Sequence, residues 1–403
     1  MTRKLYYDNV NQKEFSSTVT GIEKKGRNLY VELESTCFYP EGGGQPGDKG
    51  FLGSFEVMDT RKEGDRILHV CKLEDRNTAE SIKEGEEIIG KINWPWRFDF
   101  MQQHTGQHIL SAALLRTADS NTVSVHHGEE YVTIEIDKPD LSEEMIEAVE
   151  DSAQEAICRN LPVRTVWVEE ENIAQYNLRR PPKKHGTLRL VDIPDFDCAA
   201  CGGLHTETTG DVRLIKWIGS EKIRNRLRLY WKIGNRAFQD YRQNTKVLSE
   251  INTLLSARTL ELPERINKCM EEIQELKKSI ASLQNERAEQ IAQALSAAAV
   301  PNERGILVLG KIFEREDSGF LKKLMKECIN REKCAVCFIN RDNSGINWMI
   351  GVSLDIDFPF PQKREELLAA VQGKGGGKHP LWQGRGDNFG GADEFMEIFS
   401  SAF

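Results

Sequence analysis

The run FMQQHTGQHILSAALL (100–115) determines how the middle of this 403-residue chain folds. It lacks proline and its apolar residues recur at helical spacing, so it is predicted to form a helix. His104 and His108 lie on one face of that helix, close enough to bind one metal ion. Further along, CGGLH (201–205) places a thiol and an imidazole around two glycines, which indicates a tight loop. Because tetrahedral zinc accepts cysteine and histidine together, the two motifs predict a zinc site formed by His104, His108, Cys201 and His205.

Composition and charge exclude several classes of protein. Hydrophobic residues make up 39% of the chain and charged residues 29%, as in soluble globular proteins. No apolar run approaches the roughly 18 residues of a membrane span, and the N-terminal MTRKLYYDNV lacks the apolar core of a signal peptide, so we expect a cytoplasmic protein without membrane contact. Nine cysteines without a signal peptide indicate free thiols rather than a disulfide framework. With a formal net charge of −9, nucleic-acid binding must come from local basic patches.

Residues 1–92 are predicted to form a small β-rich domain, most simply a barrel. Short alternations of apolar and polar residues, such as NLYVELE (28–34), are separated by Gly, Asn and Asp. Within this domain three glycines, Gly42, Gly43 and Gly44, form a loop whose exposed amides can approach a ligand closely. A glycine run alone favours a plain turn, but the neutral polar residues Thr36 and Gln45 on either side favour a recognition loop.

Residues 93–240 are predicted to form an α/β domain around the two metal-binding motifs. After the helix come a strand at 130–137, a helix at 142–159 and a strand at 163–168. The run EKIRNRLRLYW (221–231), interpreted as a strand, would present Arg224, Arg226 and Arg228 on one face. Such a row suits phosphate, although solvated charge at a sheet edge explains it equally well.

Residues 241–300 are predicted to be a helical coiled-coil linker. Apolar residues alternate at spacings of three and four, with Glu, Lys and Gln between them. They are Ile266, Cys269, Ile273, Leu276, Ile280 and Leu283. This pattern is typical of an antiparallel hairpin with the helix at 246–257, or of a strut in a dimer, and Pro263 stands at the expected break between the two helices.

Residues 301–403 are predicted to form a separate, glycine-rich α/β domain, so the fold class is α+β and multidomain. Strands near 305–312, 335–340 and 347–352 alternate with helices at 319–329 and 363–371. The run GKGGGKHPLWQGRG (373–386) looks like a phosphate-cradling loop but does not match GxxxxGK[ST], so no P-loop is predicted. Cys334 and Cys337 lie on a predicted strand with opposite orientations and are interpreted as buried thiols.

Four motifs together resemble the editing domain of alanyl-tRNA synthetases, and most closely the freestanding alanyl-tRNA editing proteins of the AlaX family in their long form. They are FYPEGGGQPGD (38–48), HTGQH (104–108), CGGLH (201–205) and TTG (208–210). The coiled coil and GKGGGKHPLWQGRGDNFGG (373–391) are similar to the C-terminal domain that these synthetases share with DHH-type phosphoesterases. A synthetase would carry an aminoacylation domain ahead of the editing region, whereas here that region begins within the first ten residues. The resemblance therefore implies hydrolysis in trans of tRNA(Ala) mischarged with serine or glycine.

The resemblance also implies roles for individual residues. Thr36 and Gln45 would belong to the catalytic site, with Thr36 contacting the serine hydroxyl, and the three glycines would shape the substrate pocket. Leu204 stands where the family usually has Thr. Cys198 forms a CxxC pair with Cys201 and is the alternative thiol ligand, but only Cys201 has the family's spacing to His205. Because four protein ligands fill a tetrahedral zinc ion, either one ligand is displaced or zinc positions the amino acid while another group directs water.

Basic residues are the expected tRNA contacts. The set beside the site is Arg179, Arg180, Lys183 and Lys184, and the second choice is Arg224, Arg226 and Arg228. Lys374, Lys378 and Arg385 are expected to bind the tRNA body. A homodimer through the coiled coil or the C-terminal domain is the expected form of self-association.

Three alternatives stay open at the sequence level. A threonyl-type editing domain shares the HxxxH and CxxxH scheme and removes serine from tRNA(Thr), but the GGGQP loop favours the alanine type. A non-catalytic tRNA-binding protein would use the zinc only to hold the domain together. A phosphoesterase is disfavoured, because the Asp-His-His motif is absent and His126-His127 follows Val125.

Overall fold

A computed structural model describes residues 2–73, 82–182, 185–331, 333–343 and 345–403. The chain divides into two compact units, Met1–Glu250 and Ile251–Phe403. Both combine helices and strands, which confirms the mixed α+β multidomain fold class. The finer division into four domains stays a prediction. None of the helices in the described part of the chain is long and apolar enough to cross a bilayer.

A closed barrel of six antiparallel strands begins the first unit, in the order β2-β3-β7-β6-β5-β8. Alternate residues such as Val19, Val31 and Val57 fill its interior, which leaves their polar neighbours outside. Its strands are β2 (Glu14–Lys25), β3 (Asn28–Leu33), β5 (Gly50–Leu52), β6 (Phe55–Glu63), β7 (Arg66–Lys72) and β8 (Glu87–Ile92). Before them, β1 (Arg3–Lys4) pairs in parallel with β4 (Ser35–Thr36), and α1 (Leu5–Asp8) follows β1.

The long helix α2 (Trp94–Ala118) carries the HTGQH motif, as predicted. Asn93 caps its first turn by accepting a hydrogen bond from the Trp96 N–H, and Asp119 ends it in the left-handed conformation. Nearly every residue from Phe100 to Leu114 is buried, because the helix is covered on several sides rather than along one stripe.

Two antiparallel sheets and two helices complete the first unit. One sheet has the order β14-β15-β10-β9 and the other β11-β12-β13. The strands are β9 (Thr122–His127), β10 (Val132–Ile136), β11 (Arg164–Val168), β12 (Leu188–Ile193), β13 (Asp197–Ala200), β14 (Ile215–Ile223) and β15 (Arg226–Ile233). The helices are α3 (Glu143–Cys158) and α4 (Asn235–Leu255).

The prediction of one strand through 221–231 is wrong. The run is a hairpin in which β14 ends at Ile223 and β15 begins at Arg226. Arg224 lies in the connecting turn with φ of +54°. Arg224 therefore cannot share a strand face with Arg226 and Arg228, and the expected row of three guanidinium groups does not form.

The second unit begins at Ile251, in the last turns of α4, and its first complete helix is α5 (Leu262–Ala298), which has 37 residues and Pro263 in its first turn. Along its N-terminal two-thirds the apolar seam is exposed, for example by 62% at Leu276 and 64% at Leu283. Near its C-terminal end Ala288 and Ala292 are buried against α6 and the sheet that follows. The seam is therefore open to solvent in the single chain.

A five-stranded sheet in the order β16-β17-β18-β20-β19 forms the rest of the second unit. Its strands are β16 (Leu307–Glu314), β17 (Cys334–Asp342), β18 (Gly345–Val352), β19 (Gly373–Lys378) and β20 (Leu381–Gly386), and its helices are α6 (Ser318–Ile329), α7 (Phe360–Ala370) and α8 (Ala392–Ser400). Cys334 and Cys337 are fully buried in two different apolar clusters, as their opposite orientations predict.

The glycine-rich run 373–386 forms the hairpin β19–β20 rather than a phosphate-cradling loop. A Cβ on Gly375 or Gly384 would come within 2.3 Å of the Trp348 ring. The glycines therefore allow a buried tryptophan to pack flat against two strands.

Candidate metal centre

The four predicted ligands converge at one point. The ligand atoms of His104, His108, Cys201 and His205 all lie within 4.8 Å of one another. The Cys201 Sγ is 3.3 Å from Nε2 of His104 and 3.4 Å from Nε2 of His205. The three histidines are buried and Cys201 is partly buried. Helix α2 supplies two ligands on one face, and the loop after β13 supplies the other two.

The Nδ1 atom of each histidine faces a hydrogen-bond acceptor. For His104 the acceptor is Oε1 of Gln45 at 3.1 Å, and for His108 it is a carboxylate oxygen of Asp197 at 3.1 Å. For His205 it is the Thr105 hydroxyl at 3.3 Å. An imidazole whose Nδ1 donates to such an acceptor directs the lone pair of Nε2 toward the centre, as in metal sites whose ligands are oriented by surrounding residues.

Burial favours the neutral form of His104 and His205, and neighbouring groups favour the thiolate of Cys201. Burial, with a smaller contribution from Arg189, lowers the pKa of His104 to about 3. Burial also lowers the pKa of His205 well below its ordinary value. Burial by itself raises the pKa of the Cys201 thiol, but His108, the Gly203 N–H and Arg189 together lower it below the ordinary value. Neutral histidines and a thiolate are the ligand forms that a divalent metal requires.

The donor set fits zinc. Zinc bonds of about 2.0 Å to nitrogen and 2.3 Å to sulfur in a tetrahedron separate the two donors by about 3.5 Å. The observed separations from Cys201 Sγ, 3.3 and 3.4 Å, are close to that value. Cys198 is not part of the cluster: it packs among Val168, Leu188 and Leu190, and burial raises its pKa to about 11.

The CGGLH loop can approach the helix closely because it lacks a side chain at one position. A Cβ on Gly203 would lie 2.1 Å from Cε1 of His104. The next residue, Leu204, is fully buried against Tyr6, Tyr39 and Met101. Leu204 is therefore an apolar anchor that holds the loop against the barrel side of the unit.

The glycine loop reaches the metal centre through Gln45. Gly42 and Gln45 close a tight turn with two backbone hydrogen bonds of 3.0 Å, and Gly43 and Gly44 have φ of +61° and +87°, which glycine adopts without strain. The Gln45 side chain is 1% exposed, and its Oε1 accepts hydrogen bonds from His104 and from the Leu204 N–H. One amide therefore connects the glycine loop, the helix and the CGGLH loop.

Thr36 lies in a different environment. Its side chain is 0% exposed, and its hydroxyl bonds to Nε2 of His69 at 2.8 Å and to the Phe38 N–H at 3.0 Å. His69 was not predicted from the sequence, because it lies on β7 and reaches Thr36 only when the barrel closes.

A buried ion pair ties the barrel to α2. Arg97 is 1% exposed, and its Nε lies 2.8 and 2.9 Å from the two carboxylate oxygens of Asp48. Arg97 also donates to the backbone carbonyls of Cys37 and Val10. The segment from Cys37 to Asp48, which includes the glycine loop, is thereby fixed at both ends relative to the metal-binding helix.

The predicted tRNA contacts differ in their surroundings. Arg179 is mostly buried. It forms an ion pair with Asp197 at 3.1 Å and donates a hydrogen bond to the His108 carbonyl at 3.0 Å, so it helps to position the metal ligand His108. Arg180 is exposed, and Lys183 and Lys184 lie outside the described residues. Arg228 forms an ion pair with Glu135, and Arg226 lies near the same carboxylate. On the β19–β20 hairpin, Lys374 lies opposite Arg385, and Lys378 is the last residue of β19.

Known proteins are similar to this chain along most of its length. The family described as tRNA synthetases class II (A) matches residues 3–96, and the threonyl and alanyl tRNA synthetase second additional domain matches residues 188–230. The alanyl-tRNA editing protein AlaX-L of Pyrococcus horikoshii is 32% identical over 302 residues, which are 73% of this chain and 74% of that protein. The alanyl-tRNA editing protein Aarsd1 of Danio rerio is 27% identical and aligns with 91% of this chain and 87% of its own length. An alanine–tRNA ligase of Sulfurisphaera tokodaii is 29% identical over 94% of this chain but only 41% of the ligase.

Proposed function

The chain belongs to the family of alanyl-tRNA editing proteins, and from this premise we propose that it hydrolyses, in trans, the ester of tRNA(Ala) mischarged with serine. It is accordingly an aminoacyl-tRNA hydrolase. The observation that carries the proposal is the preassembled centre, in which Gln45 of the glycine loop bonds directly to the ligand His104. Glycine is the second expected substrate, and because it lacks the hydroxyl that Thr36 would bind, we expect it to be released more slowly than serine.

Zinc held by the four ligands would supply a Lewis acid, either for the ester carbonyl or for the amino group of the substrate. The side chains of the protein position the substrate relative to the metal. Because Oε1 of Gln45 is already occupied by His104 and Leu204, the Gln45 amide nitrogen is the end that remains for substrate. We assign it the role of donating a hydrogen bond to the oxygen that becomes negative as water attacks. Gly42, Gly43 and Gly44 keep the loop small enough for the ester to reach that amide.

Thr36 is proposed to distinguish serine from alanine. The Thr36 hydroxyl donates its hydrogen to His69, and one of its two oxygen lone pairs accepts a hydrogen bond from the Phe38 N–H. The second lone pair remains to accept a hydrogen bond from a serine hydroxyl. Alanine lacks that donor and would leave the lone pair unsatisfied, at a cost of about 1–3 kcal/mol.

The deciding experiment measures deacylation of Ser-tRNA(Ala), Gly-tRNA(Ala), Ala-tRNA(Ala) and Ser-tRNA(Thr) side by side. We expect rapid release of serine from tRNA(Ala), slow release of alanine, and loss of activity with His104→Ala. Faster reaction of Ser-tRNA(Thr) would favour the threonyl-type alternative. Zinc-loaded protein that binds tRNA but releases no amino acid would favour a structural role for the metal.

For tRNA binding we propose Arg180, with Lys183 and Lys184 beside it, and the hairpin residues Lys374, Lys378 and Arg385. Arg179, Arg226 and Arg228 are weaker candidates than Arg180, Lys374 and Lys378 because carboxylates already neutralise or face them. The charge reversals Lys374→Glu and Lys378→Glu together should weaken tRNA binding and lower its salt dependence, while hydrolysis of a short aminoacyl minihelix is unchanged. Unchanged affinity for full-length tRNA would contradict this assignment.

We further propose that the α5 seam pairs with α5 of a second copy. Ile273, Leu276, Ile280 and Leu283 are each 45–64% exposed and recur at coiled-coil spacing. Such a stripe on a long helix is stabilised when a second stripe covers it. Sedimentation equilibrium should give a dimer for the wild type and a monomer for Leu276→Glu with Ile280→Glu, and a monomeric wild type would refute the proposal. A cytoplasmic location remains a prediction.

A further inference from the structure

His127 lies beside the metal centre with neither ring nitrogen hydrogen-bonded. It is the last residue of β9 and is only 5% exposed. Its ring centroid is 5.0 Å from that of His104. Nδ1 and Nε2 are both buried, and neither has a hydrogen-bond partner among the residues that the structure describes. The predicted mechanism makes no use of this side chain.

The position of His127 in the sheet would suit an apolar residue. It lies opposite Val132, on the face from which Ile134 and Ile136 enter the core. Almost all buried polar atoms in proteins are hydrogen-bonded, and an unsatisfied buried group costs about 1–3 kcal/mol. Both ring nitrogens of His127 are buried without a hydrogen bond, next to the proposed metal centre. This indicates that their hydrogen-bond partners belong to the substrate that binds there.

The groups around His127 belong to the active centre. A Cβ on Gly44 would lie 4.0 Å from its Nδ1, so the backbone of the third glycine of the loop faces that nitrogen without forming a hydrogen bond of standard geometry. His104, His108 and Arg236 are the neighbouring charged or titratable groups. Arg236 is engaged with Asp99 and with the Gly128 carbonyl. His127 is not one of the four clustered metal-binding residues.

We propose that His127 binds the reacting end of the aminoacyl ester, an inference that rests on the proposed hydrolysis. A neutral imidazole has one N–H and one lone pair. The lone pair accepts a hydrogen bond from the attacking water, and the N–H, which points to the opposite side of the ring, donates to the 2′ hydroxyl oxygen of the ribose that carries the ester. The water oxygen then bonds to the carbonyl carbon, the bond from that carbon to the ribose oxygen breaks, and the proton lost by water ends on the ribose oxygen. His127 orients both reactants and keeps its own proton throughout.

Substitution of His127 tests this role by steady-state kinetics on Ser-tRNA(Ala) with the full-length, zinc-loaded protein. His127→Leu removes both hydrogen bonds but suits the apolar surroundings, so kcat should fall by about tenfold or more while KM changes little. His127→Gln and His127→Asn keep a donor and an acceptor, and at least one of them should recover part of kcat. The zinc content should stay equal to that of the wild type in all three variants.

His126→Leu is the matched control, because His126 precedes His127 on the same strand but is exposed. It should retain wild-type kcat. The inference is overturned if His127→Leu keeps wild-type kcat, if it loses zinc, or if the loss of activity follows His126 instead. The inference is supported if His127→Leu loses activity with full zinc content and if His127→Gln or His127→Asn recovers part of it.

A binding measurement separates this inference from the proposed function. The probe is adenosine carrying serine through a 3′ amide, which is not hydrolysed, added to protein labelled with ¹⁵N-histidine. Both ring nitrogens of His127, assigned by their absence in His127→Leu, should shift. Wild-type protein that shifts with the probe but does not deacylate Ser-tRNA(Ala) refutes the proposed function alone. Active wild type whose His127 signals do not move refutes the inference alone.

Discussion

The hydroxyl of Thr36 donates a hydrogen bond to Nε2 of His69 across 2.8 Å, deep in the barrel. The direction of this bond follows from the other side of the ring, where Nδ1 of His69 faces the Val31 carbonyl at 2.8 Å and must carry the proton. The Thr36 oxygen therefore acts only as an acceptor toward any further group. His69 thus sets the polarity with which Thr36 can meet a substrate.

Replacement of Thr36 by Val should erode the preference for serine over alanine. The methyl group fills the same volume but removes the acceptor, so the ratio of kcat/KM for Ser-tRNA(Ala) to that for Ala-tRNA(Ala) should fall by about 5- to 150-fold, equivalent to about 1–3 kcal/mol. Thr36→Ser keeps the hydroxyl and should retain most of the preference. An unchanged ratio with Val would remove Thr36 from substrate discrimination.

His69 should make the stability of the barrel depend on pH. Burial lowers the pKa of His69 to about 4, whereas an unfolded histidine titrates near 6.5. Between these values the unfolded chain binds the additional proton, so the stabilisation is complete above about pH 6.5 and is lost as the pH falls toward 4, by about 3 kcal/mol in total. Urea unfolding at a series of pH values should show this slope in the wild type. The slope should be reduced in His69→Gln, and equal slopes in the two proteins would contradict the assignment.

Replacing only one member of the Arg97–Asp48 ion pair should strongly lower the free energy of unfolding. Each single variant, Arg97→Met or Asp48→Asn, leaves the partner charge buried, so the free energy of unfolding should drop by about 3–5 kcal/mol. The double variant Arg97→Met with Asp48→Asn removes both charges and should be more stable than either single variant. Additive losses in this cycle would show that the two residues do not act as a pair.

Asp197→Asn should weaken metal binding without removing a ligand. The Asp197 carboxylate accepts a hydrogen bond from Nδ1 of His108 and forms an ion pair with Arg179. Loss of a carboxylate in this position typically costs 10- to 100-fold in affinity, so the dissociation constant for zinc measured by competition with a chelator should rise by about that factor. His108→Ala provides the upper limit, and an Asp197→Asn variant with wild-type affinity would show that the carboxylate has no influence on the ligand.

The sequence revealed the ligands but not the residues that orient them. His104 and His108 are recognisable because helical spacing places them on one face, and CGGLH is recognisable as a local loop. Gln45, Thr105 and Asp197 gain their roles only from tertiary contacts, since Gln45 is 59 residues and Asp197 is 89 residues from the histidine it contacts. The hairpin at Arg224 was missed for a local reason: its turn contains no glycine or proline to interrupt the alternating pattern.

The close approach of the CGGLH loop to α2 yields the sharpest test of the metal centre. Gly203→Ala would place a methyl group 2.1 Å from Cε1 of His104, so either the ring or the loop must move and the four donors can no longer converge. Gly202→Ala adds the same methyl group one residue earlier, where the nearest atom is the Tyr7 hydroxyl at 3.8 Å. We expect Gly203→Ala to lose zinc and deacylation together, whereas Gly202→Ala keeps both, as measured by metal analysis and serine release. Full zinc content in Gly203→Ala would mean that the loop does not require glycine there, and that the ligand geometry tolerates displacement of His104.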